Sequence, residues 1–191
     1  WAEIVVRDRN HPSIVAWSPF NETSGVTNRA QHARVHADAY ELTRSLDPSR
    51  PVNDASGYVH VRTDLWTVHS YEQDPAKLRE LLTPKADRGV FRNFPDLEAD
   101  YEGQPYIVDE FGGIKWDPGT QLAELDRERR GSWGYGQAPR SLEEFYARLE
   151  GMVAVLDGLD HVAGWCYTQL TDVEQEQNGV YFYDRSAKFD M

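Results

Sequence analysis

With 32 acidic against 20 basic side chains in 191 residues, a formal net charge of −12, the chain has no long-range attraction for phosphate backbones or anionic lipid, so neither nucleic acid nor a membrane is an expected partner. Hydrophobic residues at 40% and aromatics at 12% supply a packed core and exclude a disordered polymer. No apolar run approaches the roughly 18 residues of a membrane span, and the single cysteine, Cys166, excludes an internal disulfide and a cysteine-based zinc site.

Strand and helix patterns alternate along the chain, so the expected fold class is α/β. Residues 1–9 read as the end of a helix. Ser13–Ser18, nearly all apolar, reads as a parallel strand buried on both faces. A helix is expected from about Arg29 to Leu46, stopped by Asp47-Pro48. Pro51–Asn53 is a short strand before the turn Asp54–Gly57. Leu65–Tyr71 is another, followed by a short helix through Leu78, Leu81 and Leu82. Residues 85–104 read as a long loop, and Pro105–Glu110 as a strand with carboxylates at its C-terminal end. A second long loop reaches Arg140. Ser141-Leu142-Glu143-Glu144 is a capping box, with Ser141 capping the helix and Glu144 reaching back. Phe145, Leu149, Met152, Val153 and Leu156 give that helix its apolar face. Val162–Leu170 is the last strand; Cys166 within it is expected to be inert.

Polar and aromatic residues gather after strand C-termini: Asn21-Glu22, His69 to Tyr71, Asp109-Glu110, and Tyr167 to Gln169. In a (β/α)8 barrel this face carries the chemistry. A full barrel takes about 250 residues and eight strands. Five strands are therefore expected to form a partial (β/α)8 TIM barrel, strands 4 to 8 with their helices. Glu22 and Glu110, on two different strands, suit glycoside cleavage, in which one carboxyl protonates the leaving oxygen and the other attacks or stabilises the anomeric carbon.

The wording around these carboxylates is more specific. Arg7-Asp8-Arg9-Asn10-His11-Pro12-Ser13-Ile14, running through Trp17-Ser18-Pro19-Phe20-Asn21-Glu22, resembles the acid/base signature of glycoside hydrolase family 2, which contains β-galactosidases, β-glucuronidases and β-mannosidases. Pro105 through Gly113 is similar to its nucleophile segment. Gly164 through Glu174, with Asn178-Gly179 and Asp184-Arg185, resembles its last-strand segment. The resemblance implies a retaining O-glycosyl hydrolase needing no cofactor, with a carbohydrate as substrate. Some β-galactosidases of the family place a metal beside the acid/base, but this sequence shows no secure ligand set for one, and no metal is expected. It implies that Glu22 is the acid/base and Glu110 the nucleophile. Asn21 would then bind the sugar 2-hydroxyl, and Tyr71 would hold Glu110 ionised and oriented. His69 is a subsite candidate, equally readable as a packed, hydrogen-bonded histidine. Tyr167 stands where relatives carry a tryptophan platform, with Trp165 as the nearby substitute, and Trp116 is a loop candidate.

There are departures. Thr23-Ser24-Gly25 replaces the Trp-Gly pair that many relatives place after the acid/base. Glu176-Gln177-Asn178-Gly179 stands where β-glucuronidases carry Asn-x-Lys for the uronic carboxylate, so a galactoside or mannoside is expected rather than a glucuronide. His32 and His36, four apart on a helix, lack the glutamate that zinc hydrolases place after the first histidine and read as a solvated or packed face. The glycine-rich run Gly131–Gly136 reads as a flexible, substrate-covering loop. Residues 1–191 are expected to be the C-terminal part of a catalytic barrel in a longer chain, and taken alone to self-associate through the opened edges of the sheet. The rival readings are a retaining β-glycosidase of another family with the same barrel, and an inert carbohydrate-binding fragment.

Overall fold

A computed structural model of the chain describes residues 1–23, 27–117 and 132–189. Among them are helices α1 (Ala2–Asp8), α2 (Arg29–Leu46), α3 (Pro75–Leu82) and α4 (Leu142–Asp157), and strands β1 (Trp66–Ser70), β2 (Tyr106–Gly112) and β3 (Val162–Thr168). The strands are parallel and lie in the order β1-β2-β3. Two compact units divide the chain: Trp1–His69 with Pro84–Asp109 and His161–Gly164, and Ser70–Thr83 with Glu110–Asp160 and Trp165–Met191.

In the first unit α2 begins where Asn28 accepts a hydrogen bond from Gln31 N, and it buries His36, Tyr40 and Thr43. Helix α1 packs on it, and the Trp1 indole donates to Thr43 Oγ1 at 2.7 Å. Arg50 ties the entry of the chain to the end of α2, donating to Ile14 O at 2.6 Å, His11 O at 3.0 Å and Asp47 Oδ2 at 2.7 Å. All five residues of β1 are buried, and Trp66, Val68, Tyr106 and Val108 are at most 1% exposed.

Two expected strands shrink. Ser13–Ser18 and Pro51–Asn53 meet in a single parallel bridge, Trp17 to Val52, and Asn21 makes another with Ser56. Pro12, Pro19 and Pro51 lack the N–H that a continuous ladder needs. Nor is the first segment buried on both faces, since Val15 is 78% exposed. Cys166 is likewise exposed rather than enclosed in its strand.

Within the loop 84–104, Glu98 has its side chain 1% exposed, neither oxygen has a hydrogen-bond partner among the described residues, and Arg92 Nε is 4.0 Å away. Burial raises its pKa to about 7, against the opposing pull of His60 and Arg92; the phenols of Tyr101 and Tyr106 are also raised by burial. Because the folded-state pKa is raised, Glu98's contribution to stability is present below the unfolded pKa, near 4.5, and is lost as pH rises through about 7. Replacing Glu98 with Gln is therefore expected to stabilise the fold at pH 8 by on the order of 2 kcal/mol and to leave it nearly unchanged at pH 5. Urea unfolding of the two proteins at both pH values reads this, and a difference independent of pH would refute it.

In the second unit Asp74 caps α3, and Ser141 caps α4 by accepting from Glu144 N at 3.2 Å. Glu144 reaches back one residue further than a capping box requires, its Oε2 accepting from Arg140 N at 2.9 Å. Helices α3 and α4 pack together, burying Leu78, Leu82, Met152 and Leu156. The approach is close: a β-carbon on Gly151 would stand 2.7 Å from Pro75 Cγ. Within 131–136, Gly131 lies outside the described residues. The remainder is tied down rather than loose, with Trp133 N to Gln175 O at 2.8 Å, Gln177 N to Trp133 O at 2.8 Å and Tyr135 N to Gly113 O at 2.9 Å.

Candidate active site

In the first unit the site is assembled from three segments. Asn21 makes the bridge to Ser56 and Glu22 follows it, its N donating to Ser56 O at 3.0 Å. Glu22 takes φ 49°, the left-handed region that an L-residue other than glycine rarely enters. Its Oε1 is 2.7 Å from His69 Nδ1 on β1. The other ring nitrogen, Nε2, is 3.1 Å from Ser56 Oγ and 3.2 Å from Asp109 Oδ1, while Ser56 Oγ donates to Asp109 Oδ2 at 2.8 Å. His69 is 4% exposed. Asn93 brackets its backbone, accepting from His69 N and donating to His69 O, each at 3.0 Å. Gly57, at φ 60°, lets the imidazole in, for a β-carbon there would stand 2.5 Å from the ring.

Deeper in the same unit, Asp54 Oδ1 pairs with His60 Nδ1 at 2.7 Å, and Oδ2 accepts from Val61 N and Arg62 N. Burial opposes its charge, but the nearby His36 ring, 3.6 Å away, and the bonds from His60 and the Val61 backbone outweigh it and hold the carboxyl well below the usual range. The His36 ring stacks against His32 at 4.0 Å and Phe20 at 4.6 Å. The two histidines that invite a metal reading are thus a packed aromatic layer over a buried carboxylate.

In the second unit Glu110 lies near the C-terminal end of β2 and accepts a hydrogen bond from the Tyr71 hydroxyl on its Oε2. Burial pushes the Tyr71 phenol far above its ordinary value, and the bond to Glu110 adds to this. The hydroxyl stays protonated, a permanent donor that favours an ionised acceptor. Tyr135 lies flat on Tyr71, ring centroids 3.4 Å apart at 2°. Gly113, at φ 58°, makes room, since a β-carbon would fall 2.3 Å from the Tyr135 ring and 3.1 Å from that of Tyr71. Gln73 holds the layer from behind, donating to Gly112 O at 2.7 Å and Tyr135 O at 2.8 Å.

Both aromatic residues of β3 are held by contacts within the second unit. Trp165 donates to Asp157 Oδ1, the last residue of α4, at 2.8 Å, and its ring meets Phe111 edge-on. With Tyr167, Phe145, Leu149 and Val153 it lines an apolar groove of about 350 Å³ between β3 and α4. The Tyr167 hydroxyl accepts from Ile114 N at 3.1 Å, and burial pushes its pKa up to about 12. Trp116 packs against Phe145. Sequence reading missed Ser56, Asp109 as a partner of His69, and Tyr135. Only Asp109 left a signal, as a second carboxylate at a strand end.

Residues 1–121 match the family model described as "Glycosyl hydrolases family 2, TIM barrel domain". Among curated proteins, a β-galactosidase of Photobacterium profundum is 26% identical over 170 residues, covering 71% of this chain and 15% of that protein. A β-glucuronidase of Paenibacillus borealis is 27% identical over 214 residues, covering 98% of this chain and 31% of its own length. The chain thus spans less than a third of either relative's length. Among solved structures, a family 2 β-galacturonidase from Eisenbergiella tayi bound to galacturonate matches with a TM-score of 0.66 at 19% identity, covering 98% of this chain and 33% of that one. The β-D-glucuronidase of Dictyoglomus thermophilum matches with a TM-score of 0.63 at 20% identity, covering 98% and 33%. The strands and helices described above are part of a (β/α)8 TIM barrel. The chain belongs to glycoside hydrolase family 2.

Proposed function

We propose that the full-length protein carrying this chain hydrolyses neutral β-linked glycosides with retention of anomeric configuration. Glu110 is the nucleophile, and Glu22 is the acid that protonates the leaving oxygen and then the base that activates water. The observation that carries this reading is the bond from a permanently protonated Tyr71 to Glu110, which leaves the carboxylate ionised and aimed. Retention requires the two carboxyl groups about 5–5.5 Å apart. Asn21 is the donor to the sugar 2-hydroxyl, a contact that strengthens as the oxocarbenium-like transition state forms.

The choice of a neutral sugar rests on residues 176–178. Glu176 Oε1 accepts from Asn178 Nδ2 at 3.1 Å, and Asn178 Oδ1 accepts from Gln169 Nε2 at 2.8 Å. An acid therefore stands in the stretch where β-glucuronidases of the family carry Asn-x-Lys, and a like charge repels a uronate. The test is a panel of aryl β-glycosides with the full-length protein, following the first-formed product by NMR. kcat/KM for the best galactoside or mannoside should exceed that for the glucuronide by on the order of 100-fold, the cost of an unpaired like-charge contact. A glucuronide as best substrate would overturn the assignment of this stretch, and an inverted first product would overturn the mechanism.

A further inference from the structure

We propose that His69 is a positioning residue for Glu22, itself oriented by Ser56 and Asp109, rather than a sugar ligand; the inference rests on the acid/base role given to Glu22 above. The ring is almost wholly buried, and both of its nitrogens are engaged by the chain itself: Nδ1 with Glu22 Oε1 at 2.7 Å, and Nε2 with Ser56 Oγ at 3.1 Å and Asp109 Oδ1 at 3.2 Å. Gly57 gives up a side chain to let the ring in, and Asn93 fixes the backbone of His69 from both its polar groups. A ring committed in this way is a support for its neighbours.

Counting protons shows what it supports. Ser56 has one hydroxyl proton and two neighbours that can accept it, Asp109 Oδ2 at 2.8 Å and His69 Nε2. If the proton points to Asp109, Nε2 carries its own proton and donates to Ser56 Oγ. If it points to Nε2, that nitrogen is bare. In the second arrangement the neutral ring keeps its proton on Nδ1, facing Glu22, and in the first it does so when the ring carries both protons; in these forms the Nδ1–H donates to Glu22 Oε1. Asp109 and Ser56 thus select the ring's useful orientation, as a buried carboxylate does for a catalytic imidazole.

The consequence falls on Glu22. With Oε1 occupied as an acceptor, the transferable proton resides on Oε2. In the first step that proton passes from Oε2 to the glycosidic oxygen as its bond to the anomeric carbon breaks and Glu110 bonds to that carbon. In the second, Oε2 takes a proton from water as the water oxygen bonds to the anomeric carbon and the bond to Glu110 breaks. His69 keeps its protons throughout and decides which oxygen of Glu22 does the work.

The experiment compares aryl β-glycosides of poor and good leaving groups, because only a poor leaving group needs protonation. It is made in the full-length protein with His69→Leu, His69→Asn and Asp109→Asn. His69→Leu is expected to lower kcat/KM for an unactivated phenyl glycoside by about 100-fold, and for a dinitrophenyl glycoside by less than about fivefold, with KM little changed. His69→Asn, whose amide nitrogen falls near the place of Nδ1, should recover about tenfold of that loss. Asp109→Asn should show the same dependence on leaving group at smaller size, and it carries the test alone should His69→Leu fail to fold. Equal losses across leaving groups with a raised KM would overturn the inference and make His69 a sugar ligand. Glu22→Ala is the control that separates the two readings. If it shows the leaving-group dependence and the His69 and Asp109 variants do not, only this inference fails. If wild type turns over no glycoside, or Glu22→Ala shows no such dependence, the acid/base assignment fails first.

Discussion

Glu110→Gln removes turnover: kcat/KM on any glycoside falls by about 10⁴-fold or more, the scale on which loss of a covalent nucleophile registers. The amide has nearly the shape of the carboxylate and still accepts from Tyr71, so substrate binding and the fold should survive while the covalent step does not. Glutamine carries no negative charge with which to attack the anomeric carbon, so no glycosyl-enzyme forms. A fluorinated glycosyl trap, which slows release of the covalent intermediate, should label Glu110 and no other residue. A peptide map with the label on another carboxylate, or an active Glu110→Gln protein, would move the nucleophile elsewhere.

The second large effect is expected at Glu22. Glu22→Ala should cut kcat/KM for unactivated aryl glycosides by about 10³-fold while leaving glycosylation by a dinitrophenyl glycoside nearly intact, because that leaving group departs without a proton. Turnover of the activated substrate then stalls at the glycosyl-enzyme, with no base to activate water. Added azide, a nucleophile that needs no base, should restore turnover and yield the β-glycosyl azide, retained in configuration. Failure of azide to rescue, or an α-azide as product, would remove Glu22 from the acid/base role.

Local chemistry was the legible part of this chain. The helix from Arg29 to Leu46 stands where Asn28 caps it and Asp47-Pro48 ends it, and Ser141 caps α4, because caps and stops act within a turn of the residues that make them. Strand existence was less legible. An apolar run such as 13–18 reads as a buried strand whether or not its neighbour can complete a ladder, and the prolines that break this ladder lie partly in another segment. The family was legible through three short stretches in order, and so were Glu22 and Glu110 as candidates. The surroundings of those carboxylates were not. His69 meets Glu22 across 47 residues and Ser56 meets Asp109 across 53, pairings set by how strands lie side by side and carried by no periodicity. Tyr135 was hidden for the same reason: it comes from a loop, and only Gly113 permits its approach to Tyr71.

The backbone of Glu22 has a meaning beyond the reaction. At φ 49° a residue with a β-carbon costs about 1 kcal/mol that glycine does not, so the backbone here would be more comfortable without this side chain, while the buried His69 would lose this partner. If Glu22 is the acid/base proposed above, its role and the ease of the local backbone pull in opposite directions at this position. Under that role, a change to glycine would disarm the site and relieve the backbone at once, but only by giving up the bond to His69.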